Sequence, residues 1–216
     1  MNIIVRPHNS GLCYCRPDTT WERENKDYFV PDFVDELYFC PIIFAKVAKA
    51  GKCVGPKFSE RYYDSVNFGL LVYAGNPETD LATTSCLDHS SILPFPMYNR
   101  IVFDREGNDL TIKRDGKVIF SLPGTAPSDE GAKGAMISLI EDSICKVSTR
   151  VSLRIGDFVA AELAAPQLLA ARSVANTTDA DTTDDADAPK PSAASSRTKI
   201  EATFCDNSLF DFRIVF

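Results

Sequence analysis

Across residues 134–147 the apolar positions fall three or four apart. Met136, Ile140, Ile144 and Val147 line up, and polar side chains fill most of the gaps. That spacing predicts an amphipathic helix with one buried face. Behind it, residues 151–158 are rich in Val, Leu, Ile and Phe and are interrupted at Gly156-Asp157, which predicts a short strand, a tight turn and a second strand. Two apolar runs, 39–47 (FCPIIFAKV) and 68–74 (FGLLVYA), read as buried strands. Residues 109–114 and 117–121 are β-type runs joined by Asp115-Gly116, the strongest short hairpin signal in the chain. Residues 199–205 and 209–216 predict a closing hairpin around Asp206-Asn207, with Phe210, Phe212, Ile214 and Phe216 alternating against more polar neighbours. Near the start, residues 2–6 alternate as a short strand does, and Cys13-Tyr14 opens another.

Elsewhere the pattern breaks. Residues 16–36 are polar and charged, and Pro17 and Pro31 argue against one long element there. Trp21 and the Tyr28-Phe29-Val30 cluster read as anchors, Trp21 pinning a loop to the core rather than stacking on a ligand. Between 176 and 196 there is no aromatic residue, and Ala, Thr, Asp, Ser and Pro dominate. Such a stretch buries too little apolar surface to offset its ordering entropy, so a mobile acidic loop is expected at about 175–198. A calcium site there is not favoured, because it needs fixed ligand positions and a turn glycine.

Composition narrows the classes. At 216 residues and 44% hydrophobic, the chain fits one domain or a domain with a small appendage. Its net charge of −7, much of it within 179–187, argues against nucleic acid, which needs clustered Lys and Arg. The start, MNIIVRPHNSG, has no apolar leader, and no stretch is long enough to span a bilayer, so no membrane partner and a cytoplasmic location are expected. Seven scattered cysteines suit reduced thiols. Cys13 and Cys15 with His8 lack the further ligands that a zinc site requires.

Several segments resemble the fumarylacetoacetate hydrolase family, in order, over roughly residues 37–216. Pro41-Ile-Ile-Phe-Ala-Lys46 is similar to its "P-x-h-F-x-K" element, and Leu70-Leu-Val-Tyr-Ala-Gly75 to the end of its metal-binding strand. The loop running from Thr84 to Pro94 resembles "K-s-F-D-x-x-a-p-h-G", with Asp88 on the loop's Asp. The Asp115-Gly116 hairpin, the helix, the Gly156-Asp157 turn and the closing strand pair follow. The resemblance implies a mixed α+β fold, mostly β, with sheets rolled around a central site and one main helix near 130–148. Residues 1–36 would then be an N-terminal extension with short strands, and 37–216 the family domain. It also implies a homodimer, and Mg²⁺ held by carboxylates to polarise an oxo acid for C–C bond chemistry.

Laid on that pattern, the equipment is largely substituted. Asn67 and Gly69 stand where the resemblance puts two metal-binding glutamates, Ser85 where it puts a lysine, and Ala161-Glu162-Leu163 where it puts the threonines and glycine of the anion-binding turn after Gly156-Asp157. A carboxylate at Glu162 would repel a substrate carboxylate. The expectation is therefore a fold that has lost Mg²⁺ chemistry, needs no cofactor and serves as a binding or subunit module. Its partner would be a second copy or a catalytically intact paralogue. Lys46, Asp88 and His89 are the remaining catalytic candidates; Asn67, Ser85, Gly156, Asp157 and Glu162 are pocket candidates. A triad-like use of Asp88, His89 and a cysteine is disfavoured, because adjacent residues on a strand point to opposite sides. The rival reading is an active hydrolase, decarboxylase or isomerase with a Mg²⁺ site rebuilt from Asp64, Asp80, Asp88 and Glu162. A third reading is a structural subunit whose apolar strands pair with another chain.

Overall fold

The computed structural model describes residues 1–103, 105–125, 133–172 and 197–216. Its strands in chain order are β1 (Ile3–Arg6), β2 (Tyr14–Arg16), β3 (Trp21–Glu22), β4 (Tyr28–Phe29), β5 (Glu36–Val47), β6 (Tyr63–Ala74), β7 (Ser91–Ile92), β8 (Leu110–Arg114), β9 (Lys117–Leu122), β10 (Phe158–Glu162), β11 (Gln167–Ala171), β12 (Arg197–Phe204) and β13 (Asn207–Val215). A single turn of helix, α1 (Leu81–Thr84), and one long helix, α2 (Ala135–Arg150), complete the regular elements, with three short 3₁₀ turns. The fold is mixed and mostly β, as expected.

One sheet runs β2-β1-β10-β5-β6-β7-β3, with β11 also paired to β5; the other runs β4-β13-β12-β8-β9. Both sheets draw on residues 1–36: β1 lies parallel to β10, β3 parallel to β7, and β4 parallel to β13. The first sheet curls enough for Trp21 on β3 to pack edge-on against Phe158 on β10, 5.2 Å between ring centroids.

β5 and β6 form the spine, paired over their length from Leu37–Ala74 to Val47–Tyr63. Their middles, Phe39–Ala45 and Val66–Tyr73, are buried on both faces, which is why they read as continuous apolar runs instead of alternating ones. Pro41 sits mid-strand on β5 without costing a ladder bond. Its carbonyl accepts from the Leu163 amide, so its nitrogen faces the same side, in the gap where β10 has ended at Ile42 and β11 begins at Phe39. β6 starts earlier than its apolar run, at Tyr63 instead of residue 68. β11, just ahead of the expected acidic loop, carried no strand signal in the sequence.

The helix follows its pattern with a small shift. Ile137, Ile140, Ile144 and Val147 are buried on α2, while Met136 is half-exposed. They join Ile4, Ile43, Ala45, Val159 and Ala161 from the first sheet and Ile112, Ile200, Phe204 and Phe210 from the second in the larger core cluster. Glu141 shares the buried face and is satisfied by Ser59 Oγ (3.2 Å), Tyr63 Oη (3.0 Å) and Lys133 Nζ (2.6 Å). Of the helix expected near 130–148, residues 130–132 lie outside the described residues.

Turn chemistry explains two differences from expectation. Asp115 and Gly116 have φ of 49° and 76°, so both central residues adopt the left-handed values a type I′ hairpin requires. In the closing hairpin the positive pair is Cys205 and Asp206 (φ 51° and 60°), one residue earlier than expected, and Asn207 enters β13 opposite Phe204. Of the two strands expected around Gly156-Asp157 only the second forms, as β10, which begins at Phe158. Asp157 Oδ2 accepts from the Arg154 amide (2.9 Å), its Oδ1 from the Asn2 amide (2.8 Å), and the Gly156 amide donates to Val47, so the turn docks on its neighbours. Ahead of it only Leu153 bridges, to Gly51.

Most of the acidic loop expected at 175–198 lies outside the described residues; Arg197 and Thr198 belong to β12. Among the described residues no helix is long and apolar enough to cross a membrane.

Because Ile144 is fully buried where α2 meets the core, Ile144→Ala should lower unfolding free energy by about 2–5 kcal/mol, read by urea denaturation. A loss under half a kcal/mol would mean that this face of α2 is not packed as described.

Candidate functional site

Side chains alternate across a strand, so Asn67, Gly69, Leu71 and Tyr73 of β6 share one face. It is the face on which the resemblance puts the metal carboxylates, and it is filled. Phe44, Phe158, Leu71, Tyr73 and Leu93 form a second buried cluster there, with Trp21 packed against it. Phe95 joins Trp21 and Phe158 at 5.9 and 6.3 Å. Asn67 is fully buried, and its amide nitrogen donates to the carbonyls of Pro94 and Pro96, both at 3.1 Å. Its amide oxygen accepts from the Phe68 amide, so both ends of the side chain are occupied. A Cβ on Gly69 would stand 2.5 Å from the Ile92 carbonyl oxygen and 3.3 Å from the Phe44 ring. No longer side chain fits without moving β7.

The other candidates on this face are spoken for. Lys46 is exposed at the end of β5, with its ammonium 5.9 Å from the Phe95 ring centroid. Glu162 is 6% exposed and accepts from Tyr73 Oη (2.5 Å), Tyr14 Oη (3.2 Å) and the His8 amide (3.0 Å). Burial raises both tyrosines far above the usual range, so they stay O–H donors to the carboxylate. Gly156 (φ 90°) and Asp157 shape the turn before β10, and both Asp157 carboxylate oxygens accept from backbone amides. Ser85 is buried as the C-cap of α1, and its carbonyl accepts from Arg16 Nε at 2.8 Å.

Asp88 and His89 stand elsewhere. They lie on a turn, not a strand, and both line an open groove of about 820 Å³ with Glu22, Tyr28, Phe29 and Phe212. His89 takes the left-handed conformation (φ 57°) and places Nδ1 3.0 Å from Glu22 Oε2. Its partner is thus a glutamate from β3, not Asp88 or a cysteine; Cys86, nearby in the groove, donates its thiol to Ala82 O at 2.9 Å. Tyr28 is 6% exposed and its hydroxyl has no hydrogen-bond partner among the described residues. Burial holds it protonated, well above the usual tyrosine range.

Arg16 holds this loop. Fully buried on β2, it donates from Nε to Ser85 O and from its terminal nitrogens to Ser90 O (3.4 Å), Ser90 Oγ (3.0 Å) and Val72 O (2.6 Å). Both ends of residues 86–89 are therefore tied to one guanidinium. Sequence reasoning missed Arg16 and Glu22 and read Tyr28 only as an anchor, because they sit in a polar segment with no periodicity to assign a face.

The four carboxylates of a rebuilt metal site do not converge. Asp64 accepts from Ser65 Oγ on an exposed stretch, Asp80 caps α1 through the Thr83 amide (3.1 Å), Asp88 faces the groove, and Glu162 is enclosed by tyrosines. Among the described residues no group of three or more His, Cys, Asp or Glu is placed to hold a metal ion. The described residues do not fit the divalent cation that the resemblance implies.

No family model and no curated protein matches the sequence. Solved structures do match. A putative fumarylacetoacetate hydrolase family protein from Yersinia pestis superimposes with a TM-score of 0.68 at 12% identity, covering 99% of this chain and 91% of its own. The fumarylpyruvate hydrolase of Pseudomonas aeruginosa, solved with Mn²⁺ and pyruvate, gives 0.69 at 11% identity, over 100% and 90%. A 5-carboxymethyl-2-hydroxymuconate delta-isomerase from Mycobacterium smegmatis gives 0.68 at 11%, over 99% and 78%. The chain has the fold of these proteins; identities this low speak for the fold alone.

Replacing Arg16 by Ala would strand the buried Ser85 and Val72 carbonyls, while the Ser90 carbonyl keeps the Val72 amide at 2.7 Å. It should cost at least about 2 kcal/mol in denaturant unfolding, by the cost of unsatisfied buried acceptors. A neutral result would show that water reaches those carbonyls and that the clamp is dispensable.

Proposed function

We propose that this chain uses the fumarylacetoacetate hydrolase fold as a binding or subunit module and has given up Mg²⁺-dependent C–C bond chemistry. The observation that carries this is at Gly69, where a Cβ would meet the Ile92 carbonyl at 2.5 Å. A hard cation needs several oxygen ligands in near-octahedral array. Here one family ligand position has no room for a side chain, and the other, Asn67, has its amide tied to backbone. An aromatic cluster takes the space in front of them. By the same resemblance the module pairs as a homodimer or with a catalytically intact paralogue. The rival, an active oxo-acid hydrolase, decarboxylase or isomerase, draws its support from the fold and from the activities named for the fold's other members.

Calorimetric titration of the full chain with Mg²⁺ and Mn²⁺ separates the two readings. No saturable heat is expected at dissociation constants below about 1 mM. Saturable binding that disappears in Asp88→Ala would sink the proposal and revive the enzyme. Gly69→Ala offers a second check: overpacking against β7 should cost about 1–3 kcal/mol of stability. Unchanged stability would mean that the position has room for a ligand side chain after all.

A further inference from the structure

The groove beside β3 and β7 differs in chemistry from the filled face. Glu22 and Ile92 line it, whereas Trp21, next to Glu22 on β3, packs into the aromatic cluster of the opposite face. Apolar side chains, among them Phe29, Leu87, Ile92 and Phe212, make up much of its lining. Its volume of about 820 Å³ falls within the range of small-molecule sites.

Its charges are unbalanced. Glu22, Asp27 and Asp88 line it against Lys26 and His89. Lys26 is already committed to Glu24 at 2.6 Å, and His89 to Glu22 at 3.0 Å. Asp27 accepts from the Arg213 amide at 3.0 Å. Asp88 is left exposed, with no hydrogen bond or ion pair among the described residues. Tyr28 belongs to the same wall, with its unpartnered hydroxyl buried behind it and acted on by the Asp88 charge. An unpaired carboxylate thus faces a groove lined with aromatic surface.

We propose that this groove binds small organic cations, primary or secondary amines carried on an aromatic or branched aliphatic body. The ammonium pairs with Asp88, and the body lies against Phe29 and Phe212. The same carboxylates repel an oxo acid, so the groove selects against the anionic class that the family resemblance implies. The inference gives the binding-module reading a ligand class. It does not depend on loss of the metal, because the groove and the filled face lie on opposite sides of β3.

2-Phenylethylamine titrated into the full chain tests it, with amide chemical shifts and calorimetry as readouts. The expected result is saturable binding at a dissociation constant below about 1 mM. It should localise to residues 22–31 and 86–92, weaken tenfold or more in Asp88→Asn, and be unchanged in Lys46→Ala on the other face. 3-Phenylpropanoate, with a similar body and the opposite charge, should not bind. The proposal is overturned by absent binding, by equal binding of the acid, by an unaffected Asp88→Asn, or by Lys46→Ala weakening the amine as much. Asp88 is exposed and makes no described contact that folding needs, so loss of binding in its variant is not loss of fold. Metal binding without amine binding would refute this inference and the retired-metal reading separately.

Discussion

A fully buried guanidinium with no carboxylate among its hydrogen-bond partners is the constraint on which this site depends. Arg16 cannot shed its proton, so its charge must be met by oriented dipoles. The Ser85, Ser90 and Val72 carbonyls and the Ser90 hydroxyl supply them, and the Tyr73 ring lies 5.0 Å below the guanidinium carbon. Satisfying one charge ties β2 to β6 and draws the α1–β7 loop over the sheet at both of its ends. The loop's middle, Cys86 to His89, is then displayed in the groove, where Glu22 takes the imidazole. A buried charge left short of partners costs several kcal/mol, so position and satisfaction are one requirement here.

Across the same sheet, a second buried charge is met in a similar way. Glu162 is enclosed by two phenols and a backbone amide. Tyr73 touches both charges, with its ring under Arg16 and its hydroxyl on Glu162. Polar groups on this face are therefore spent on one another. Between them, Trp21, Phe44, Phe95 and Phe158 fill the hollow of the curled sheet. Apolar packing of this kind favours stability, since it removes from water surface that would otherwise be hydrated.

How far the candidate site was legible differs from residue to residue. Asn67 and Gly69 could be assigned only because the family resemblance lays its two metal-binding positions on them; that they share one face of β6 follows once the strand is in place. That Gly69 has no room for a side chain could not be read, because the obstructing oxygen belongs to Ile92, more than twenty positions away in the chain. Asp88 and His89 lie on a turn, as the loop pattern of the resemblance implied, so strand geometry was the wrong guide to their directions. His89 sits at positive φ and turns to Glu22. Glu22 and Tyr28 lie in a segment without periodicity, so nothing local assigned them a face.

What the sequence determined by itself is what rests on local periodicity and turn chemistry: the α2 stripe, the two-sided burial of β5 and β6, and the Asp115-Gly116 hairpin. Each arises from forces acting within a few residues, which is why pattern suffices. Tertiary structure alone decided where the polar residues of 1–36 go, that the Gly156-Asp157 turn docks instead of pairing, and that the closing turn falls on Cys205-Asp206. It also decided that the four acidic candidates disperse while Asp88 faces an aromatic groove. These outcomes depend on which distant donor or acceptor satisfies a buried group, and satisfaction of that kind leaves no period in a sequence.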